Sequence, residues 1–143
     1  MEDSFPNSKS APPPDDRSKI RSVISHRGLT GLANDTKWDE LIDFMRQING
    51  WKPSFRFKCV DGRASDWDNE WYYHLPFPMI SVEWFDMTII QSTRTHPLKD
   101  PVVTDHSHWI QSALNGIGLD FRCGERMIRV FGYAPRSLEA FDS

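Results

Sequence analysis

An α+β domain is predicted, with an antiparallel sheet of about five strands packed against two or three helices in the order ααβββαββ. Three observations carry this. Apolar residues at i, i+3, i+4 spacing mark three helical stretches, alternating stretches cluster between and after them, and strand and helix signals do not alternate regularly as in a parallel sheet. At 143 residues the chain fits one domain able to bury a core without disulfides or metal.

Residues 1–16 contain Pro6 and the run Pro12, Pro13, Pro14 and few aliphatic residues, so they read as a flexible acidic tail ahead of a single domain over 17–143. In "RSKIRSVISH", Ile20, Val23 and Ile24 give a short amphipathic helix closed by Gly28. The second helix, "NDTKWDELIDFMRQING", places Trp38, Leu41, Ile42, Met45 and Ile48 on one face, with Asp35 or Thr36 as cap and Asn49-Gly50 as stop. "SFRFKCV" then alternates Phe55, Phe57 and Cys59 against Arg56 and Lys58, a strand with one face inward. The loop "DGRASDWDN" leads to "EWYYHL" as the returning strand.

Pro76 and Pro78 end that strand, and "MISVEWFDMTIIQS" supplies a third. Its apolar phase changes between Trp84 and Phe85, which predicts a bulge or bend there. "TRTHPLKDPVV" reads as a loop, after which Thr104 caps a helix with Trp109, Ile110, Ala113, Leu114 and Ile117 on one face. "LDFRC" and "RMIRVFGY", joined at Gly124-Glu125, close the chain as a hairpin.

The net charge of −3 resides in the tail, where Glu2, Asp3, Asp15 and Asp16 face Lys9 alone; the remainder holds 16 basic and 16 acidic side chains. A neutral domain without a basic stripe argues against direct nucleic-acid binding. The first 20 residues lack the apolar run of a signal peptide, and nowhere do about 18 apolar residues follow one another, so a cytoplasmic protein without membrane contact is expected. Cys59 and Cys123 form no C-x-x-C pair and are expected as reduced, buried thiols.

No catalytic, metal or cofactor motif emerges. His106 and His108 are two apart at a helix start, point to different sides, and are expected to be solvated. No nucleophile elbow or phosphate loop occurs, and Asp66 with Asp68 lacks the remainder of a calcium loop. His74, ending a strand beside aromatic residues, is expected as a hydrogen-bonded rim histidine.

Eighteen residues are aromatic, and most are expected in the core, Trp38, Trp84 and Trp109 by their phase. Trp51 and Trp67 have no such phase. Trp67 either folds back over the sheet edge or stands exposed as an anchor, surrounded by Asp61, Asp66, Asp68 and Glu70 with Arg63 in opposition. This locally acidic loop suits a basic protein partner, reached through steering and charge-assisted hydrogen bonds.

"NDTKWDEL" opening a helix, "WDNEWYYH" at a hairpin, "VEWFD" in the next strand, and "LNGIGLDF" followed by "ERMIRVFGY" together resemble a family of small, mostly bacterial domains of unassigned function, over roughly residues 34–134. Members of this kind look like immunity proteins, the cognate inhibitors of polymorphic toxins of the Rhs and contact-dependent classes. The resemblance implies a cytoplasmic, non-enzymatic antitoxin, monomeric in a 1:1 complex, that occludes the basic active-site face of one toxin domain. The expected partner-binding residues are Asp61, Asp66, Trp67, Asp68, Glu70, Trp51 and His74, with no catalytic residue, metal or cofactor. The alternatives are a small metal-dependent or hydrolytic enzyme using His74, Cys59 and a loop carboxylate, or an adaptor in a larger assembly. Trp38→Ala is expected to cost about 3–5 kcal/mol of stability as a truncated core aromatic; urea denaturation measures it.

Overall fold

One antiparallel sheet organises the molecule, and its two faces are covered by different chemistry. The structure, a computed structural model, describes residues 5–10 and 14–143. In chain order the elements are α1 (Pro14–Arg27), β1 (Thr30–Gly31), α2 (Asp35–Arg46), β2 (Phe55–Cys59), a 3-10 turn (Met79–Ser81), β3 (Val82–Thr88), β4 (Ile90–Thr93), β5 (Val102–Asp105), α3 (Ser107–Ile117), β6 (Phe121–Cys123), β7 (Met127–Phe131) and β8 (Tyr133–Ala134). The central sheet runs β2-β3-β7-β6, while β1 with β8 and β4 with β5 form two-stranded antiparallel ribbons. The fold is α+β, as expected.

The inner face is apolar. Trp38, Leu41, Ile42 and Met45 of α2 and Ile110 and Leu114 of α3 meet Phe55, Val82, Phe85, Met87, Ile128 and Val130 of the sheet in one cluster. Each of these side chains is withdrawn from water, at about 1.5–3 kcal/mol apiece for the larger aliphatic and aromatic ones. Asn34, rather than Asp35 or Thr36, caps α2: its Oδ1 accepts the Lys37 amide at 2.9 Å. Thr104 is not a helix cap either. It pairs with Gln91 inside the β4–β5 ribbon, and Asp105 Oδ1 takes the Ser107 amide at the start of α3.

The outer face is built around charge. Asp86 and Arg129, both fully buried, form a two-pronged ion pair at 2.7 and 2.9 Å, and Arg56 Nε donates to the same carboxylate at 2.9 Å. The Arg129 guanidinium lies 3.6 Å from the Trp84 ring centroid. The C-terminal segment closes this face, with Ser137 and Ala140 carbonyls accepting from Arg129 and Arg56. Trp84 is therefore buried as expected, but on the charged side of the sheet, away from the helical core.

The predicted irregularity in the third strand lies one residue earlier than Trp84-Phe85. Lys58 pairs with Trp84 and Cys59 with Val82, so Glu83 is the extra residue of a bulge, and Val82 and Phe85 consequently share the inner face. The bulge also requires Gly132. A Cβ there would stand 2.0 Å from the Val82 carbonyl oxygen, a backbone atom that cannot rotate away, while the Gly132 amide donates to the Glu83 carbonyl. The stretch expected as one strand through Ser92 breaks at Ile89 and continues as β4 in the ribbon with β5, where a loop was expected.

"EWYYHL" is not a strand. Glu70 Oε1 accepts the amides of Tyr72, Tyr73 and His74 at 3.0, 2.6 and 3.0 Å, and Arg46 donates to the carbonyls of Trp71 and Tyr72. Side chains thus take the backbone groups that a ladder would have used, and the segment turns instead. Trp71 enters the core, donating from Nε1 to the Pro53 carbonyl at 3.0 Å.

Of the expected tail, residues 1–4 and 11–13 lie outside the described residues. Residues 5–10 rest on the domain: Ser8 is fully buried, its amide donating to Asp39 and its Oγ to the Asp35 carbonyl. Asp86→Asn is expected to cost about 3–5 kcal/mol, because it leaves the buried Arg129 charge without its counterion. Equilibrium denaturation measures this, and a loss of below ~1 kcal/mol would contradict it.

Candidate functional site

The loop between β2 and the 3-10 turn gathers most of the residues that the sequence singled out. It runs along the free edge of β2, touching it through bridges at Phe55–Asp68 and Lys58–Ala64. Asp68 and Glu70 shape its turn from within. Asp68 Oδ1 accepts the Glu70 amide at 2.9 Å, and its Oδ2 lies 2.8 Å from His74 Nδ1. Burial would raise the carboxyls of Asp68 and Glu70, but it is outweighed, for Asp68 by the Glu70 amide and His74 and for Glu70 by the Tyr73, His74 and Tyr72 amides. Both therefore titrate below the ordinary carboxylate range.

With Asp68 and Glu70 engaged inside the loop, Asp66 and Trp67 form its outer turn. Asp66 is exposed, and no hydrogen bond or ion pair to it is found among the described residues. Trp67 stays 39 % exposed while its ring covers Arg56, with 4.7 Å from guanidinium to centroid. The ring thus folds back over the sheet edge and presents its other surface outward. His74 is exposed and hydrogen-bonded at the rim.

Asp61 and Trp51 stand apart from this turn. Asp61 lies beyond the end of β2, pairs with Arg63 at 2.9 Å, and borders a hollow of about 340 Å³ between α1 and the segment Phe77–Pro78. Trp51 stacks on His106 at 4.0 Å and 11°, near the start of α3. His106 is accordingly not solvated. Its Nδ1 accepts from Trp109 Nε1 at 2.8 Å, and since an indole only donates, the imidazole is the Nε2–H tautomer, donating to Gln91 Oε1 at 2.8 Å. Trp109, expected in the core, is partly buried and packs against the margin of the core while holding His106.

The side chains invoked for hydrolysis are not assembled with one another. Cys59 is buried with Sγ 3.7 Å from Ser81 Oγ, and burial pushes its thiol up, whereas His74 takes Asp68. Cys123, expected to be buried, is exposed on β6. Among the described residues, no group of three His, Cys, Asp or Glu side chains is placed to hold a metal ion, and no helix is long and apolar enough to cross a membrane.

Residues 20–137 match the model of a family of unknown function, DUF6678. The chain belongs to that family. The match takes in the greater part of α1, which the resemblance noted above left out, and it ends just after β8. No curated protein and no solved structure matches the chain. In this DUF6678 chain the sequence-based candidates missed Phe5, Tyr72 and Tyr73, which share an exposed ring cluster, and Arg56, which holds Trp67. Arg56 could have been found from its place opposite Asp86 on facing strands; Phe5, within a segment read as tail, left no such signal.

Because the folded-state carboxyls of Asp68 and Glu70 lie below their unfolded values, their contribution to loop order is complete above about pH 5 and is lost as pH falls through the depressed values. Amide protection factors at Tyr72, Tyr73 and His74 should hold constant near neutrality and fall in acid before the core amides lose protection. Glu70→Gln should lower them near neutrality and converge with the parent protein in acid, where Glu70 is itself neutral. Loop and core protection falling together, at the same pH, would refute the local account.

Proposed function

We propose that this DUF6678 protein is an immunity protein, a cytoplasmic antitoxin that binds one cognate bacterial toxin domain in a 1:1 complex and neutralises it by covering its active site. The observation that carries the reading is the loop Asp66–His74, whose carboxylates order it from within. A surface held in shape before its partner arrives loses less conformational freedom on binding. At its turn the exposed Asp66 carboxylate and Trp67 ring suit the cationic side chains with which a toxin grips an anionic substrate such as nucleotide or RNA. The resemblance of "WDNEWYYH" and "VEWFD" to immunity-type domains supports the same reading.

The test is purification of the tagged protein from its native host at high salt, with mass spectrometry of what co-purifies. A stoichiometric partner should arrest growth when expressed alone in a heterologous host, and co-expression of this chain should restore growth. A partner that is harmless alone, or none at all, overturns the inhibitor reading. Asp66→Lys is the clean probe of the loop, because Asp68 and Glu70 hold its shape and Asp66 does not. It is expected to weaken the complex about tenfold by placing like charges in contact, with no change in thermal midpoint. Equal affinity would remove the loop turn from the interface.

A further inference from the structure

We propose that the ring cluster of Phe5, Tyr72 and Tyr73, together with Asp43 and Glu70, is a docking face for an arginine-bearing segment of a basic protein. The proposal deepens the inhibitor reading and rests on it for the identity of the partner, but the face can be tested without that partner.

The N-terminal arm creates this face. Ser8 anchors it with three hydrogen bonds, to Asp39 Oδ1, to the Asp35 carbonyl, and from the Met79 amide to its own carbonyl, all between 2.7 and 3.0 Å. That anchor brings Phe5 to 4.9 Å from Tyr72 and 6.4 Å from Tyr73, measured between centroids. Phe5 remains 47 % exposed and Tyr73 65 % exposed, so two large rings stand side by side in solvent. Rings grouped this way on a folded surface mark a contact site more often than single exposed apolar residues do.

Charge selects the occupant. Asp43, Glu70 and Asp39 act on Arg46 through space without an ion pair to it among the described residues, and its guanidinium is turned inward, 4.8 Å from the Tyr72 ring and donating to the Trp71 and Tyr72 carbonyls. Lys52, whose Nζ donates to the Arg46 carbonyl at 3.3 Å, is the other nearby cation, so two cations stand beside three carboxylates. Asp39 and Glu70 each accept backbone amides through one carboxylate oxygen, which leaves their charge uncancelled, and Asp43 is exposed. Lys9 on the arm and the Arg17 that donates to the Lys9 carbonyl lie beyond the Ser8 anchor from Phe5. An acidic field over exposed rings repels phosphate backbones and anionic lipid. It attracts guanidinium groups, which add ring stacking to charge.

Amide and aromatic NMR shifts are followed at low salt during titration with a deca-arginine peptide, with deca-lysine and deca-glutamate peptides as comparisons. Shifts are expected at residues 70–74, at Asp43 and at the Phe5 ring. Deca-arginine should bind more tightly than deca-lysine, and deca-glutamate should not bind. Phe5→Ala with Tyr73→Ala, two exposed sites whose loss should leave the thermal midpoint in place, is expected to weaken deca-arginine binding about tenfold. Three results would overturn the proposal: unchanged affinity in the double variant, shifts centred on Asp66 and Trp67, or peptide-free concentration-dependent shifts at the same amides, which would put a second copy of the chain on the face. Binding of the peptide here with no toxin recovered would leave the face and remove the inhibitor reading; a toxin recovered with full affinity for the double variant would do the reverse.

Discussion

The Asp86 carboxylate on β3 stands between Arg129 of β7 and Arg56 of β2, and this bridge fixes what the outer face of the sheet can be. Three adjacent strands are joined through one anion, with Asp86 and Arg129 fully withdrawn from water. Such a group is not by itself a large source of stability, since an apolar replacement of the same shape often does as well. Its effect is to specify. Each guanidinium has further donors to satisfy, and these reach the Ser137 and Ala140 carbonyls, drawing the C-terminal segment across the face. Aromatic rings fill the remaining surface in sequence: Trp67 on Arg56, Trp84 on Arg129, and Phe141 within 5.6 Å of Arg129.

The candidate loop depends on that arrangement at one end and on α2 at the other. Arg56, aimed by Asp86, carries Trp67; Arg46, on α2, takes the carbonyls of Trp71 and Tyr72. Between these fixed points Asp68 and Glu70 accept the turn amides. Acidic side chains therefore act here as structural acceptors first, and their negative charge persists as a field at the surface. A segment so held presents its remaining side chains with little freedom to lose, which suits an inhibitor more than a flexible reader of many partners.

Periodicity made the inner face legible. Trp38, Leu41, Ile42 and Met45 on α2, Ile110 and Leu114 on α3, and the Phe121–Cys123 and Met127–Phe131 hairpin behave as their spacing predicts, because a face turned to one core repeats with the geometry of its element. The errors share a different cause. "EWYYHL" has strand composition, but Glu70 and Arg46 capture its backbone groups. Trp84 shares an alternating phase with Val82, but the Glu83 bulge turns the two to opposite faces. Cys123 and Trp109 were misplaced because a sheet edge and a helix start leave no period to read. Of the candidate site, the loop itself was visible and Trp67 stood between two readings, folded back or exposed, whereas the internal engagement of Asp68 and Glu70 was not visible.

The amino-acid sequence alone determined the α+β class, the amphipathic helices, the final hairpin and the concentration of acid and aromatic residues between β2 and the 3-10 turn. These follow from local periodicity and composition, which require no knowledge of distant neighbours. Only the tertiary structure decided which carboxylates are held inside that loop, which rings face solvent, and that Phe5 joins Tyr72 and Tyr73 across more than 60 intervening residues. Those outcomes depend on contacts between segments far apart in the chain, where one hydrogen bond or ring contact is chosen by the geometry of the whole fold.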